Sequence, residues 1–253
     1  MDISEWKQQQ EKKGCPPYSH FDDKVSLKRV WNKISNPIYI THHSFYPFIH
    51  YQLRNRKVKN GVGQKPKIRD IYYASHWDSW IYRYYSFLLN EKYNEQLNKK
   101  KIGNVVAAYR TSLGKSNINF AYDAFDFLQK HQPCYVLIED FKDFFDQLDH
   151  AYLKKQLCNL MGVEKLPDDY FAVFKNITRF SYCELDEILK DNGLEINKKS
   201  RKELFKKRKF CPLMNLTIIL EIKKSIKIIV LLKKYLKIRM VMEYPRDRLL
   251  VEP

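Results

Sequence analysis

A short apolar run that ends in two acids is the segment best suited to chemistry. Residues 136–138 are Val-Leu-Ile, and Glu139 and Asp140 follow them directly. An apolar run of this kind predicts a buried strand over Cys134–Asp140. A carboxylate at the end of such a strand can hold a metal ion next to a phosphate group. Asp140 is therefore a candidate metal-binding carboxylate, and the alternative is an acidic strand and turn followed by a pair of core phenylalanines.

Three cations alternate along a second candidate strand. Lys65, Lys67 and Arg69 occupy every other position, and alternate residues of a strand face the same side. Three positive side chains on one face suit a nucleotide triphosphate or the backbone of a nucleic acid. The alternative is an ordinary strand face that is covered by solvent.

A further group of polar residues lies at positions 109–116. Gly114, Lys115 and Ser116 have the types that end a phosphate-binding P-loop. Tyr109 occupies the place of the first glycine of that loop, which excludes a P-loop. Arg110 and Lys115 remain candidates for contact with a template or a nucleotide. The alternative is a loop that leads to a helix cap at Ser116.

The elements that must position these residues alternate between helix and strand patterns. We expect an α+β fold in which helices pack on a small antiparallel sheet. A hairpin turn is predicted at Gly61–Gln64. The predicted helices run over Lys24–Lys33, from Ser75 to about Asn90, from Ser116, over His150–Met161, from Pro167 and over Lys198–Lys209.

Charge and composition restrict the class of protein. The 253 residues carry a formal net charge of +17, which favours a polyanionic partner such as nucleic acid. A hydrophobic fraction of 44% and an aromatic fraction of 15% predict a globular protein. The five cysteines include no CxxC pair, and the N-terminus has no signal-peptide pattern, so we expect a reducing, cytoplasmic location. Charged residues interrupt the apolar stretch 217–232, so no membrane span is expected.

The order of these segments resembles that of bacterial reverse transcriptases. Residues 136–150 are similar to motif A, the palm segment that carries the first catalytic aspartate. Residues 65–73 resemble the fingers strand, and residues 109–116 resemble the stretch that precedes the palm. The resemblance covers about residues 36–182 and is to the group associated with phage defence, which is related to retron and group II intron enzymes.

The resemblance implies that this chain is a truncated RNA-directed DNA polymerase with the right-hand architecture. Residues 36–132 would form the fingers and residues 133–209 a partial palm, after an N-terminal helical extension over residues 1–35. RNA template, DNA product and deoxynucleotides are the implied partners. Priming mode and oligomeric state stay open.

The same resemblance implies roles for individual residues. The Asp140 side chain and the Phe141 carbonyl would bind Mg²⁺, and Phe145 would exclude a ribose 2′-hydroxyl. Lys67 and Arg69 would hold the triphosphate of the nucleotide. Lys65, Arg110 and Lys115 would contact nucleic acid.

A reverse transcriptase also needs a second carboxylate motif, YxDD, and no such sequence follows Asp140. We therefore expect this chain to be inactive alone. Residues 210–253 are rich in Ile, Leu and Lys, and residues 240–251 are compatible with the family's motif B read one nucleotide late. Met242 followed by Glu243, for example, forces a glycine codon in the adjacent frame. Our hypothesis is a frameshift near Lys209; the alternative is a genuine, divergent C-terminal region.

Two other functions fit parts of the sequence. The basic and aromatic residues between Tyr39 and Tyr73 permit a non-enzymatic nucleic-acid-binding protein. Asp140-Phe141-Lys142 with Asp149-His150 also resembles the palm of diguanylate cyclases, but the hairpin motif which that family requires is absent from the sequence.

Overall fold

A computed structural model describes residues 2–108, 110, 113–140, 147–191, 193–197, 199 and 237–238. Within these residues, helices and a small mixed sheet form an α+β fold, which confirms the predicted class. The helices are α1 (Ile3–Lys13), α2 (Leu27–Ile34), α3 (Pro37–Thr41), α4 (His76–Lys99), α5 (Asn117–Lys130), α6 (His150–Met161), α7 (Asp168–Thr178) and α8 (Leu185–Asp191). The strands are β1 (Phe48–Lys59), β2 (Val62–Tyr73), β3 (Ser181–Glu184) and β4 (Lys237–Ile238).

The chain divides into two compact units, each built from separate stretches of sequence. We call the described part of Met1–Gln8 and Tyr84–Pro167 the helical unit, and the described part of Gln9–Arg83 and Asp168–Pro253 the sheet unit. The four described strands all belong to the sheet unit. The helical unit contains α5, whose cap at Ser116 the sequence predicts, and α6.

The sheet has the order β2-β1-β3-β4 and is mixed, whereas an antiparallel sheet was expected. Strand β1 pairs with β2 antiparallel and with β3 parallel. The parallel pair is possible because helices α4 to α7 lie between β2 and β3 in the chain, and parallel strands require a long connection. Strand β3 has only four residues, which is too short for its sequence pattern to predict it.

A tight turn over Lys59–Val62 connects β1 to β2, two residues earlier than the predicted turn at Gly61–Gln64. Lys59 pairs with Val62, so Asn60 and Gly61 form a two-residue loop. Both have positive φ angles, 52° and 75°, as a type I′ turn requires. The Asn-Gly dipeptide is the strongest short-range signal for such a turn, and it explains the position.

The core of the sheet unit lies on one side of the sheet, which we call the core face. Ile49, Tyr73 and Cys183 point to this side and are buried. They pack against α8 and the segment before α2 through Phe21, Leu185, Ile188 and Leu189. Burial of each large apolar side chain stabilises the fold by roughly 1.5–3 kcal/mol.

The predicted helix starts are largely confirmed. The Ser116 hydroxyl accepts a hydrogen bond from Asn119 N–H, and Asn119 caps the backbone of Ser116 in return. Asp149 accepts from Tyr152 N–H at 2.9 Å at the start of α6. Helix α7 begins directly after Pro167. Helix α2 begins at Leu27 instead of Lys24, α4 continues to Lys99, and residues 198–209 lie almost wholly outside the described part of the chain.

The strand predicted over Cys134–Asp140 is wrong. These residues have no regular secondary structure, and all of them are exposed. Leu137 and Ile138 are 83% and 86% exposed. A strand forms only where a neighbouring strand accepts its backbone hydrogen bonds, and none of the described strands pairs with this segment.

Candidate nucleic-acid interface

Strands β1 and β2 form a two-stranded ribbon beyond the core, which we call the basic ribbon (Gln52–Asp70). Among its described side chains, all except Asn55 are exposed. The sequence places seven cations on it and one acid, Asp70. The cations are Arg54, Arg56, Lys57, Lys59, Lys65, Lys67 and Arg69. A solvated, cationic ribbon of this kind can bind phosphate groups electrostatically.

The register puts Lys67 and Arg69 on the same side of the ribbon, as predicted. Arg69 pairs with Leu53 and Lys67 pairs with Asn55. This side continues the core face, because positions 49, 51, 53 and 55 alternate along β1.

Lys65 does not share that side, so the prediction of three cations on one face is wrong. The register shifts by one residue between Asn55 and position 57, which pairs with Gln64. Two residues of β2, Lys65 and Pro66, therefore stand opposite Arg56 as a bulge. Proline cannot donate to the ladder, which accounts for the bulge at this point. Beyond this shift in register, the residues of β2 that would have faced one side of the ribbon face the other. Lys65 therefore faces the opposite side from Lys67.

Five cations of the ribbon have described side chains, and these are not neutralised locally. Of the side chains that the structure describes, Arg54, Arg56, Lys65, Lys67 and Arg69 form no ion pair within 4 Å. Their charge is therefore available to an external anion.

Arg110, a predicted nucleic-acid contact, is used inside the helical unit. Its Nε donates to Asn94 Oδ1 at 3.0 Å. Its Nη1 donates to the carbonyls of Gly103 and Val106. These hydrogen bonds fix the loop after α4 to the helix, so a structural role accounts for this guanidinium.

Lys115, the other predicted contact of this segment, lies at an exposed position. Its Nζ forms an ion pair with Asp123 Oδ2 at 2.6 Å. Gly114 has a φ of 62°, which favours glycine, and precedes the cap at Ser116. The geometry fits a loop and helix start, the alternative that the sequence left open.

Asp140 is exposed and does not end a strand. Phe141 and Phe145 lie outside the described residues, as do Asp143 and Asp146. In the described part of the chain, no group of three or more His, Cys, Asp or Glu side chains is arranged to hold a metal ion. The described residues therefore do not fit a two-metal Mg²⁺ site, which needs several carboxylates around the ions.

Two histidines of the sheet unit, His43 and His76, are held by carboxylates in the manner of structural histidines. His43 Nε2 donates to Asp78 Oδ1 at 2.7 Å, and Tyr46 N–H donates to the other oxygen at 2.8 Å. His76 Nδ1 donates to Asp22 Oδ1 at 2.9 Å. These contacts connect segments that are distant in sequence, and they leave these side chains little freedom for chemistry.

Opposite the core face lies a surface that the sequence analysis missed, which we call the aromatic face. It carries Phe48 and His50 from β1, Tyr72 from β2, and Phe180 and Tyr182 at β3. Ring centroids of Phe48 and Phe180, and of Tyr72 and Phe180, are 5.1 Å apart. The concentration of aromatic residues in the sequence at 46–51 and 72–73 was a signal, but only the pairing with β3 brings the rings together.

Comparison with known proteins adds no relative. No protein-family model matches the chain, and no curated protein matches it in sequence. Among the described residues, no helix has the length and apolar character needed to cross a bilayer.

Proposed function

We propose that this chain is a fragment of an RNA-directed DNA polymerase that retains nucleic-acid and nucleotide binding but does not polymerise alone. The basic ribbon is the observation that carries the proposal. Its pair Lys67 and Arg69 lies exposed on one side of a fingers-like hairpin and forms no ion pair with any described residue. Two adjacent cations of this kind suit the phosphates of a nucleotide or a strand.

The order of elements along the chain after the ribbon supports the proposal further. A long helix, α4, follows the hairpin directly, and a capped helix, α5, follows the Gly-Lys-Ser turn. This is the order of elements that the resemblance to reverse transcriptases implies. The role in phage defence rests on that resemblance alone.

One observation favours the second candidate, a non-enzymatic nucleic-acid-binding protein. Asp140 is exposed and lies outside any strand, so the described residues do not hold it as a catalytic carboxylate would be held. The basic ribbon serves this candidate equally well, because phosphate binding needs no metal site.

Binding of labelled RNA by the full chain, followed by fluorescence anisotropy across a salt series, tests the ribbon. Changing both Lys67→Gln and Arg69→Gln should weaken binding of a single-stranded RNA and reduce the log–log salt slope by about 1.4, near 0.7 for each phosphate that the variant no longer neutralises. Lys99→Gln with Lys100→Gln is the matched control, since both lysines are exposed at the end of α4. If the two double substitutions weaken RNA binding equally, Lys67 and Arg69 are not a specific binding site and the ribbon no longer supports the proposal.

The polymerase part needs a separate experiment. Sequencing of the gene should reveal motif B and YxDD in the adjacent frame after Lys209. With that frame restored, we expect Mg²⁺-dependent DNA synthesis on an RNA template, abolished by Asp140→Ala. If the adjacent frame contains neither motif B nor YxDD, the frameshift hypothesis is refuted. If the purified chain in its present form incorporates deoxynucleotides, the expectation that it is inactive alone is contradicted. RNA binding that persists unchanged in Asp140→Ala, with no synthesis from any frame, would favour the non-enzymatic candidate.

A further inference from the structure

The aromatic face combines half-buried rings with cations on one side of the sheet. Tyr72, Phe180 and Tyr182 are all half-buried, so part of each ring meets solvent. The rings contact each other at tilted or edge-on angles of 59–87°. Such rings offer surfaces to which a planar ligand can add by stacking.

Cations extend from the rings along the same side of the ribbon. His50 pairs with Tyr72, and Arg54 pairs with Ile68, so alternate positions of β1 from 48 to 56 share this side. Arg54 therefore lies about 13 Å from His50 along the strand, at about 3.3 Å per residue. Arg56 follows, and the bulge brings Lys65 to the same side. All three cations are exposed.

Two carboxylates also lie on the aromatic face, and His50 is placed between them. Its Nδ1 is 2.7 Å from Glu184 Oε2, and its Nε2 is 3.0 Å from Asp70 Oδ1. The cations lie farther out on the ribbon, where no acid is present between positions 53 and 69.

From this juxtaposition we propose that the aromatic face is a binding site for a single-stranded nucleic acid. Unpaired bases stack on Tyr72, Phe180 and Tyr182, and the phosphates of the same strand continue along Arg54, Arg56 and Lys65. A base inside a duplex already has both faces stacked on its neighbours, so only an unpaired strand can use the rings. Charge complementarity identifies the partner as a nucleic acid, because its negatively charged backbone can pair with the row of cations next to the rings.

This site is distinct from the ribbon side used in the proposed function. Lys67 and Arg69 lie on the opposite side of the ribbon, and Asp140 belongs to the helical unit. The inference therefore holds whether or not the chain derives from a polymerase, and it requires no metal ion.

Anisotropy titrations of the full chain in EDTA test the site, with a labelled single-stranded RNA, a single-stranded DNA and a duplex of the same length. We expect tighter binding of either single strand than of the duplex. Tyr182→Leu should weaken single-strand binding roughly 5- to 150-fold, the effect of removing one base stack, without changing the salt slope. Tyr93→Leu is the matched control, because Tyr93 is a half-buried tyrosine of α4 and belongs to the helical unit.

A second pair of substitutions tests the site without touching the packed rings. Arg54→Gln with Arg56→Gln should reduce the salt slope for a single strand by about 1.4, near 0.7 for each phosphate. The Lys67→Gln, Arg69→Gln variant should lower overall affinity but keep the preference for single strands. Equal binding of duplex and single strand would overturn the proposal. So would unchanged affinity in a folded Tyr182→Leu variant, or an unchanged slope in the arginine variant.

Discussion

His50 of strand β1 and Glu184 of strand β3 are joined by a contact of 2.7 Å between Nδ1 and Oε2, although 134 residues separate them in the sequence. The other ring nitrogen of His50 lies 3.0 Å from Asp70 Oδ1 on strand β2. An ionised carboxylate only accepts hydrogen bonds, so the imidazole is the donor in this arrangement. One imidazole thus ties together three strands of the sheet.

Removal of this connection should destabilise the sheet unit. His50→Phe keeps the ring that stacks on Tyr72 but deletes both hydrogen bonds, and we expect a loss of about 1–3 kcal/mol in the free energy of unfolding. Urea denaturation gives this value. A double-mutant cycle with Glu184→Gln should show coupling between the two residues, and strictly additive effects would contradict the contact.

Asp22 should be among the carboxylates most important for stability. It accepts hydrogen bonds from the backbone N–H groups of His76 and Trp77, at 3.1 and 2.8 Å, and so caps α4 from a distant segment. Burial opposes its ionisation, but the hydrogen bonds outweigh burial and hold the pKa of Asp22 below its ordinary value. Asp22→Ala should cost about 2–4 kcal/mol, since it removes the cap and the partner of His76. Thermal unfolding measures the loss, and Asp23→Ala, at an exposed position, should cost much less.

His20 should make the fold sensitive to acid. Its side chain is fully buried, and burial lowers its pKa to about 3, from an ordinary value of 6.5. The unfolded chain therefore binds a proton between these values while the folded chain does not, so stability is full above pH 6.5 and falls as the pH drops toward 3. The maximum slope from this group is about 1.4 kcal/mol per pH unit.

Substitution of this histidine provides the measurement. The unfolding free energy of His20→Phe should depend less steeply on pH than that of the natural chain, in the range from the ordinary histidine value of 6.5 down to about 4. The exposed His42→Phe is the control and should leave the slope unchanged. Parallel pH profiles for His20→Phe and the natural chain would contradict a neutral, buried His20.

The turn at the tip of the basic ribbon should depend on glycine at one position only. Gly61 has a φ of 75°, and an added Cβ would meet no atom within 4 Å, so backbone strain alone opposes substitution. Gly61→Val should destabilise the ribbon locally by about 1–2 kcal/mol. Amide hydrogen exchange of β1 and β2 reports this loss. Gly63→Val is the matched control, because Gly63 has ordinary strand geometry and equal space.

The exposed apolar segment of the helical unit should limit solubility. Leu137 is 83% exposed beside other large apolar residues, and unpaired segments of this kind associate with one another. Leu137→Lys should reduce aggregation in light scattering and leave the thermal midpoint nearly unchanged. Leu97→Lys is the contrasting variant, since Leu97 is 3% exposed and its substitution should unfold the unit. Unchanged aggregation in Leu137→Lys would show that this segment is not responsible.

Local signals in the sequence determined the helix starts and the hairpin. Ser116 and Asp149 cap their helices because their side chains reach backbone N–H groups three residues on, and Pro167 precedes a helix because its fixed φ suits that place. Asn60-Gly61 sets the turn through its own backbone preferences. The basic ribbon could be predicted for the same reason, since its cations and its turn lie within one short stretch.

Tertiary pairing decided what local pattern could not. Residues 134–140 have a strand-forming sequence and the four residues of β3 are too short to show one, yet among these two segments only β3 pairs with a neighbour, β1, and shares backbone hydrogen bonds with it. The bulge at Pro66 turned Lys65 away from Lys67, a consequence of register and not of alternation. The aromatic face, likewise, exists because a parallel strand from far along the chain lies beside β1. Sequence periodicity specifies which side chains share a strand face, whereas the partner strand and its register are fixed only by contacts between distant segments.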